Sequence, residues 1–585
     1  MSTMGNAKRG VAGPYFRAYL SWLVVGVMFA SLVACTDTGE DGSSGAAPPS
    51  ETDEGSDDPV GDGGPEPNKK GNCRLPRSWA QKVYRGWTKA KSGDYDLIVV
   101  PNSPNYAGSS LNASHSGPYP FLQRVPLVFY GPGAIKDTGD VRLTREVTIA
   151  DIAPTTAELL DFDFPQRASR SISQIIEPDA VTPKVVVTIV IDGGGWNVFE
   201  RWPDAWPNIA RLMRDGSNVL SATVGSSPSI TPATHTNLST GTFPREHGVT
   251  AIKVRHPDGT ITSAFTEGDV RRSEFMDASV SLRRSTLAEL WDREHDNAAK
   301  VAAVIPGTYN LGMVGRGAER PGADKDIVAS LNKGEGQWVT NDAFYSLPSY
   351  VNTEIAGPEG DLEEVDGWDG ERDGKWRGHD FPSITATPAF AYWTGRVVQG
   401  LMERERFGQD DIADLMYVNL KSPDSAGHEY NMIAPEQRDT IRAVDDTVGQ
   451  LVQSLDEGIG EENYVVIITA DHGQTPLDAG GWAIDQAEVA ADVHREFADR
   501  IGDEKIIAST SAALFFTNAE VMRSNGVRPE EVSSFLSSYT IGDNVPEGED
   551  VPDEFAERVD EPIYKAVFPG RRMKAVARCA GITGP

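Results

Sequence analysis

The chain has 585 residues, enough to bury one large core or two ordinary domains. Its hydrophobic content of 39% and charged content of 24% are those of a globular protein. The formal net charge of −32 excludes a general nucleic-acid binder, which needs a basic footprint.

At the N-terminus, Lys8, Arg9 and Arg17 precede the apolar run AYLSWLVVGVMFASLVA (18–34), the charged and apolar regions of an export signal. The run ends in LVAC, which is similar to a bacterial lipobox. Residues 1–35 are therefore predicted to be a lipoprotein signal peptide, with lipid on Cys35 holding the chain at a cell membrane. An uncleaved single-span anchor is the plainer alternative. Small residues before the cysteine and a polar tract after it favour the lipoprotein, and both readings put the folded part on the extracytoplasmic side. The tract itself, 36–72, has ten acids and two lysines among its first 35 residues and almost nothing apolar, so it is predicted to be a disordered tether. Cys73 opens the remainder and Cys579 nearly closes it. An even pair in an exported chain reads as a disulfide. Closing so long a loop is worth about 5 kcal/mol in the chain-entropy picture.

Residues 73–581 read as one α/β domain. Strand-like runs fall at YDLIVV (95–100), VPLVFY (125–130), VVVTIVI (185–191), DLMYVNL (414–420) and NYVVIITA (463–470). Several are apolar on consecutive residues, as in a parallel sheet covered on both faces. Between them, AWPNIARLMRDG and RDTIRAVDDTVGQLVQSLDEG carry apolar residues at helical spacing. The expected fold is a doubly wound, mostly parallel sheet with helices on both faces and its site at the carboxyl ends of the strands. Residues 252–410, rich in Trp, Gly and charge, are expected to form a cap insertion that selects the leaving group.

Candidate ligands sit at those strand ends. VVVTIVID ends in Asp192, YVVIITADHG in Asp471 and His472, and LKSPDSAGHEY presents Asp424 and His428 four residues apart. Carboxylates and imidazoles suit zinc and similar borderline ions. One Asp at a strand end is usually a cap or a turn former; three such clusters at three strand ends are harder to explain that way.

IDGGGW with PNIARLMRDG, then SITPATHTNLSTGTFPREHG, SPDSAGH and TADHG, in that order, resemble the alkaline-phosphatase superfamily, in particular its type I phosphodiesterase/nucleotide pyrophosphatase branch. In that family the nucleophile is a Thr nine residues ahead of a Thr-Gly pair, and here Thr231 stands nine before Thr240 and Gly241. The family also uses a His from a Gly-rich turn after the Asp-His-Gly motif. His494, the single His after His472, lies instead in the amphipathic stretch EVAADVHREFADR. The family's late segment, similar to GTHG…VPLLFYGPG…DIAPTLAELLG, corresponds to NASHSGPYPFLQRVPLVFYGPG and DIAPTTAELLDF, between 112 and 162. The resemblance thus implies a circular permutation, with 73–176 corresponding to the family's C-terminal segment and His115 as the sixth ligand.

The implied chemistry is hydrolysis of a small-molecule phosphate ester at two divalent metal ions, zinc being favoured by three His and three Asp. One ion falls to Asp424, His428 and His115, the other to Asp192, Asp471 and His472 with Thr231 facing it. Coordination activates the hydroxyl, and a phospho-threonine forms and is hydrolysed. Family members carry an Asn shortly after the HG that follows the nucleophile; HGVTAIKVRHPDG has none there. Monoesterases of the Thr type carry a Lys-x-Arg, which in IPGTYNLGMVGRG becomes Tyr309 and Leu311, with Arg316 and Arg320 nearby as substitutes. Without fixed cations the site should prefer a singly charged diester, the alternative being an alkaline-phosphatase-like monoesterase. A sulfatase would need a Cys/Ser-x-Pro-x-Arg motif that SITPATH lacks. A non-catalytic surface lipoprotein would show an eroded ligand set, and this set is whole. The natural substrate and the oligomeric state are not written in the sequence.

Overall fold

The computed structural model describes residues 75–582, apart from 90–92, 109–110, 166–167, 266–280 and 477–479. The expected signal peptide with Cys35, the acidic tether and Cys73 lie outside the described residues. The described chain starts with helix α1 (Arg77–Arg85) and strand β1 (Leu97–Pro101), followed by β2 (Leu127–Tyr130), β3 (Gly139–Val141) and β4 (Val185–Ile191). Next come α2 (Pro207–Asp215), β5 (Ser217–Val219), α3 (Thr231–Thr240), α4 (Leu287–Glu294), β6 (Val301–Ile305), β7 (Ile327–Asn332), β8 (Gln337–Val339) and α5 (Pro388–Arg404). The remainder holds β9 (Asp414–Leu420), α6 (Ser422–Tyr430), α7 (Pro435–Gly458), β10 (Tyr464–Thr469), α8 (Gln486–Glu496), β11 (Ile507–Ser511), β12 (Leu514–Thr517), α9 (Pro529–Ser537), β13 (Tyr564–Pro569) and α10 (Met573–Cys579).

Nine strands form the central sheet in the order β8-β7-β6-β9-β4-β10-β2-β5-β3. The five from β7 to β10 are parallel, while β2 and β8 join antiparallel. The sheet is doubly covered, as the continuous apolar runs predict. Along β4, Val186 and Val190 pack with Leu238, Leu287 and Leu290 on one face. Val185, Val187, Ile189 and Ile191 pack with Ile209, Val397, Ile441 and Val444 on the other. Each such side chain contributes roughly 1.5–3 kcal/mol when fully buried, which makes an all-apolar strand stable only between two layers.

Two expectations are corrected. The run at 95–100 is a strand, but β1 belongs to a separate antiparallel sheet of order β11-β12-β1-β13. LIVV is buried on both faces there too, so an apolar run records burial and not which sheet or direction it joins. Much of the stretch expected as a cap is core: β6, β7 and β8 all come from 252–410 and extend the central sheet.

The two ends of the described chain meet. Arg77 Nε donates to the Ala580 carbonyl at 3.1 Å, next to Cys579 at the end of α10.

Candidate active site

Register places the strand-end residues. Residues 185–191 of β4 pair one for one with 414–420 of β9, and Val190 pairs with Thr469 of β10. Carried on past the strand ends, this register sets Asp192, Lys421 and Asp471 side by side. Asp192 and Asp471 are fully buried. Gly193 is needed where the chain turns: its φ is +69°, and a Cβ there would lie 2.9 Å from Asp424 Cα. Asp424 and His428 project from one face of α6, as residues four apart on a helix must, with His428 Nε2 3.4 Å from Asp424 Oδ1.

His115 arrives from the other end of the chain. Because β2 runs antiparallel to β10, Leu127 at its start pairs with Thr469 at the end of β10. The loop leading into β2 therefore lies on the rim that carries Asp471. His115 Nε2 stands 3.5 Å from Asp424 Oδ1, and its ring stacks on His472 with centroids 3.4 Å apart. His472 Nε2 is 3.2 Å from Asp471 Oδ2 and 3.7 Å from Asp192 Oδ1. All six predicted ligands are thus gathered in three adjoining groups: His115, Asp424 and His428; Asp192, Asp424 and His472; and Asp192 and Asp471 with His235. His494 is elsewhere, its Nδ1 accepting from Ile506 N at 2.9 Å.

The imidazoles are oriented as electron-pair donors. His115 Nδ1 lies 2.8 Å from Ser229 O, His428 Nδ1 2.7 Å from Ala113 O and His472 Nδ1 3.0 Å from Gly473 O. A carbonyl only accepts, so each Nδ1 carries the hydrogen, and in the neutral ring Nε2 holds the lone pair. Asp424 Oδ1 and His472 Nε2 are buried without a hydrogen-bond partner. Burial first, then the charge of His472, holds the His115 pKa well below the ordinary histidine value. For His472 burial acts downward, but the carboxylates of Asp471, Asp424 and Asp192 outweigh it and raise the pKa to about 9. A buried carboxylate oxygen and an inward-facing Nε2 with nothing to bind are what a cation site requires, and the mixed N/O donor set fits borderline divalent ions.

Thr231 is the first residue of α3 and follows extended Ile230, so it stands at the positive end of a ten-residue helix. Every residue of α3 is buried although it reads TPATHTNLST. Its polarity is absorbed locally: Thr236 and Thr240 donate to carbonyls four residues back at 2.7 and 2.6 Å. Asn237 donates to Ser226 Oγ at 2.9 Å.

Three neighbours escaped the sequence reading. His235 lies one turn after Thr231, and its Nδ1 is 2.7 Å from the Thr231 carbonyl. Its Nε2 accepts from Asn419 at 2.7 Å and Asn310 at 3.2 Å. With both nitrogens occupied, His235 is a support and not a ligand, although it lies near Asp192 and Asp471. Asn419 also donates to Asp192 Oδ2 at 2.9 Å. Lys421 Nζ sits 2.9 Å from Asp192 Oδ1 and 2.6 Å from Asp424 Oδ2. Asp192 and Asp424 outweigh the effect of burial on it and raise its pKa. The site therefore has a fixed cation, contrary to expectation. Arg316 and Arg320 do not supply one: Glu289 binds Arg316 through both carboxylate oxygens, at 2.7 and 2.8 Å, and its carbonyl accepts from Arg320. Tyr309 is exposed and Leu311 is in the core.

Comparison with known proteins places the chain in a family. The family model described as Type I phosphodiesterase / nucleotide pyrophosphatase matches residues 186–563. The chain is 20% identical over 398 residues to alkaline phosphatase PafA of Elizabethkingia meningoseptica, covering 60% of this chain and 72% of that protein. It is 40% identical over 72 residues to human ectonucleotide pyrophosphatase/phosphodiesterase family member 7, 12% of this chain and 16% of that one. The crystal structure of wild-type PafA covers 66% of this chain and 84% of its own, at 16% identity and a TM-score of 0.48. With 378 of its 585 residues matched by the family model, the chain belongs to the type I phosphodiesterase/nucleotide pyrophosphatase family of the alkaline-phosphatase superfamily and is a phosphoric ester hydrolase.

Proposed function

We propose that the chain is a two-metal phosphodiesterase that works through a phospho-threonine on Thr231. The observation that carries this reading is the orientation of three imidazoles, each with Nδ1 on a main-chain carbonyl and Nε2 turned toward buried carboxylates. His115, Asp424 and His428 would hold one divalent cation, and Asp192, Asp471 and His472 the other, zinc being the ion we favour. Bound there, two such ions supply positive charge that lowers the pKa of a nearby hydroxyl and offsets charge on the phosphoryl oxygens. Thr231 attacks phosphorus in line, the ester oxygen leaves, and water hydrolyses the phospho-threonine. The N-terminus of α3 favours the anionic substrate, and His235, locked between Thr231 and Asn419, holds that turn in place.

One observation favours a monoesterase as the second reading. Lys421 lies between Asp192 and Asp424. Lys333, just past the carboxyl end of β7, reaches solvent, yet its crowded setting and Lys421 hold its pKa below the ordinary lysine value. Two cations would suit a doubly charged phosphate. Rates on p-nitrophenyl diester, monoester and sulfate substrates with metal-loaded protein decide between the readings; no turnover of either phosphate ester overturns both.

The family match starts at Val186 of the described strand β4, and His115 reaches the site from before it. This supports the permutation, with 73–176 standing for the family's last segment. Lipid anchoring through Cys35 on the extracytoplasmic side completes the proposal.

A further inference from the structure

On the opposite rim of the central sheet, α4 and the loop entering β7 bring three carboxylates together. Asp292, Asp324 and Asp326 each place an oxygen within 4.8 Å of the others. Asp326 directly precedes β7, whose six residues at about 3.3 Å each put the cluster roughly 20 Å from the strand ends that carry Asp192 and Asp471. Asp292 is 3% exposed and Asp326 9% exposed, whereas Asp324 faces solvent.

Among the described residues, no cation forms an ion pair with this cluster. Asp292 Oδ1 is buried without a hydrogen-bond partner. Arg320 is the cation whose charge acts on both Asp292 and Asp326, but its guanidinium is held at the Glu289 carbonyl. Carboxylates crowded this way out of water must hold either protons or a cation. All the side-chain donors are oxygens, which select a hard ion, and the exposed side at Asp324 leaves room for the water that calcium retains.

We propose that Asp292, Asp324 and Asp326 form a calcium site, separate from the catalytic metals, that ties the C-terminal turn of α4 to the entry of β7. The site does not depend on the catalytic reading. Its ligands come from a helix and a loop that share no hydrogen bond through these side chains, so the ion would act as a staple. Burial, and then Asp292 and Asp324, raise the pKa of the Asp326 carboxyl well above the usual carboxylate range.

Terbium luminescence tests this on zinc-loaded protein, because Trp291 adjoins Asp292 and can sensitise a lanthanide bound there. The wild type should show tryptophan-excited terbium emission that calcium displaces, and millimolar calcium should raise its Tm by a few degrees. Asp326→Asn should lose both responses while keeping ester turnover within twofold. Asp324→Asn, a change at an exposed position that cannot disturb the core, should weaken terbium binding tenfold or more. His115→Ala should retain the emission. Absence of emission and of the calcium shift in the wild type overturns the site, and so do equal responses in Asp326→Asn. If Asp292→Asn raises the calcium-free Tm and the wild type does not respond to calcium, the cluster holds a proton and the proposal fails.

Discussion

His115 Nε2 lies 3.5 Å from Asp424 Oδ1, although more than half of the chain separates the two residues. The antiparallel pairing of β2 with β10 closes that distance. If the proposed ligand sets are right, His115→Ala should release one metal ion per molecule and keep the other, measured by elemental analysis after gel filtration. Two remaining protein ligands leave that ion open to exchange. His494→Ala should leave metal content and rate unchanged, at a stability cost of about 1 kcal/mol for the bond from Ile506 N. Dependence of metal content on His494 would refute the permutation.

Thr231→Ala should abolish turnover while both metal ions stay bound, since it removes the nucleophile and none of the six His and Asp ligands. Rapid quench with a labelled ester should trap phosphate on wild-type protein and none on the variant. Near-normal activity in Thr231→Ala would remove Thr231 from the mechanism.

Asn419 bridges His235 and Asp192 at 2.7 and 2.9 Å. Asn419→Ala should cost about 10–100-fold in metal affinity or activity, the usual penalty for losing a group that orients a ligand. Metal titration followed by kinetics separates the two, and a change under twofold in both would mean the bridge is incidental.

Lys421 and Lys333 test charge selection. Lys421→Met and Lys333→Ala should each lower kcat/KM for a monoester at least tenfold more than for a diester if the cations read the second phosphate charge. Equal losses on both substrates would show that Lys421 only positions Asp192 and Asp424.

Peptide mapping of the unreduced protein should find Cys73 joined to Cys579. Arg77, four residues after Cys73 in the sequence, donates to the carbonyl of Ala580, beside Cys579. Two free thiols would leave the ends held by the packing of α1 on α10 and the bond from Arg77 to the Ala580 carbonyl.

Local order was legible in the sequence. β4 and β9 run over the residues expected, because a short, mostly apolar run bounded by turn residues favours a strand covered on both faces. The pairing of Asp424 with His428 follows from helix geometry at a spacing of four. His115 was reached through its resemblance to a displaced segment and not through any local pattern. Tertiary structure decided the rest. No sequence pattern marks Lys421; the register of β4, β9 and β10 sets it between two buried aspartates. His235 sits in a mostly polar helix that no apolar periodicity marks as buried, and its Nε2 accepts from Asn419 and Asn310. The 95–100 strand left the central sheet, and 252–410 supplied three strands to it. Each of these turns on which strands pair across long stretches of chain, and hydrophobic periodicity records only that a residue is buried, not against what.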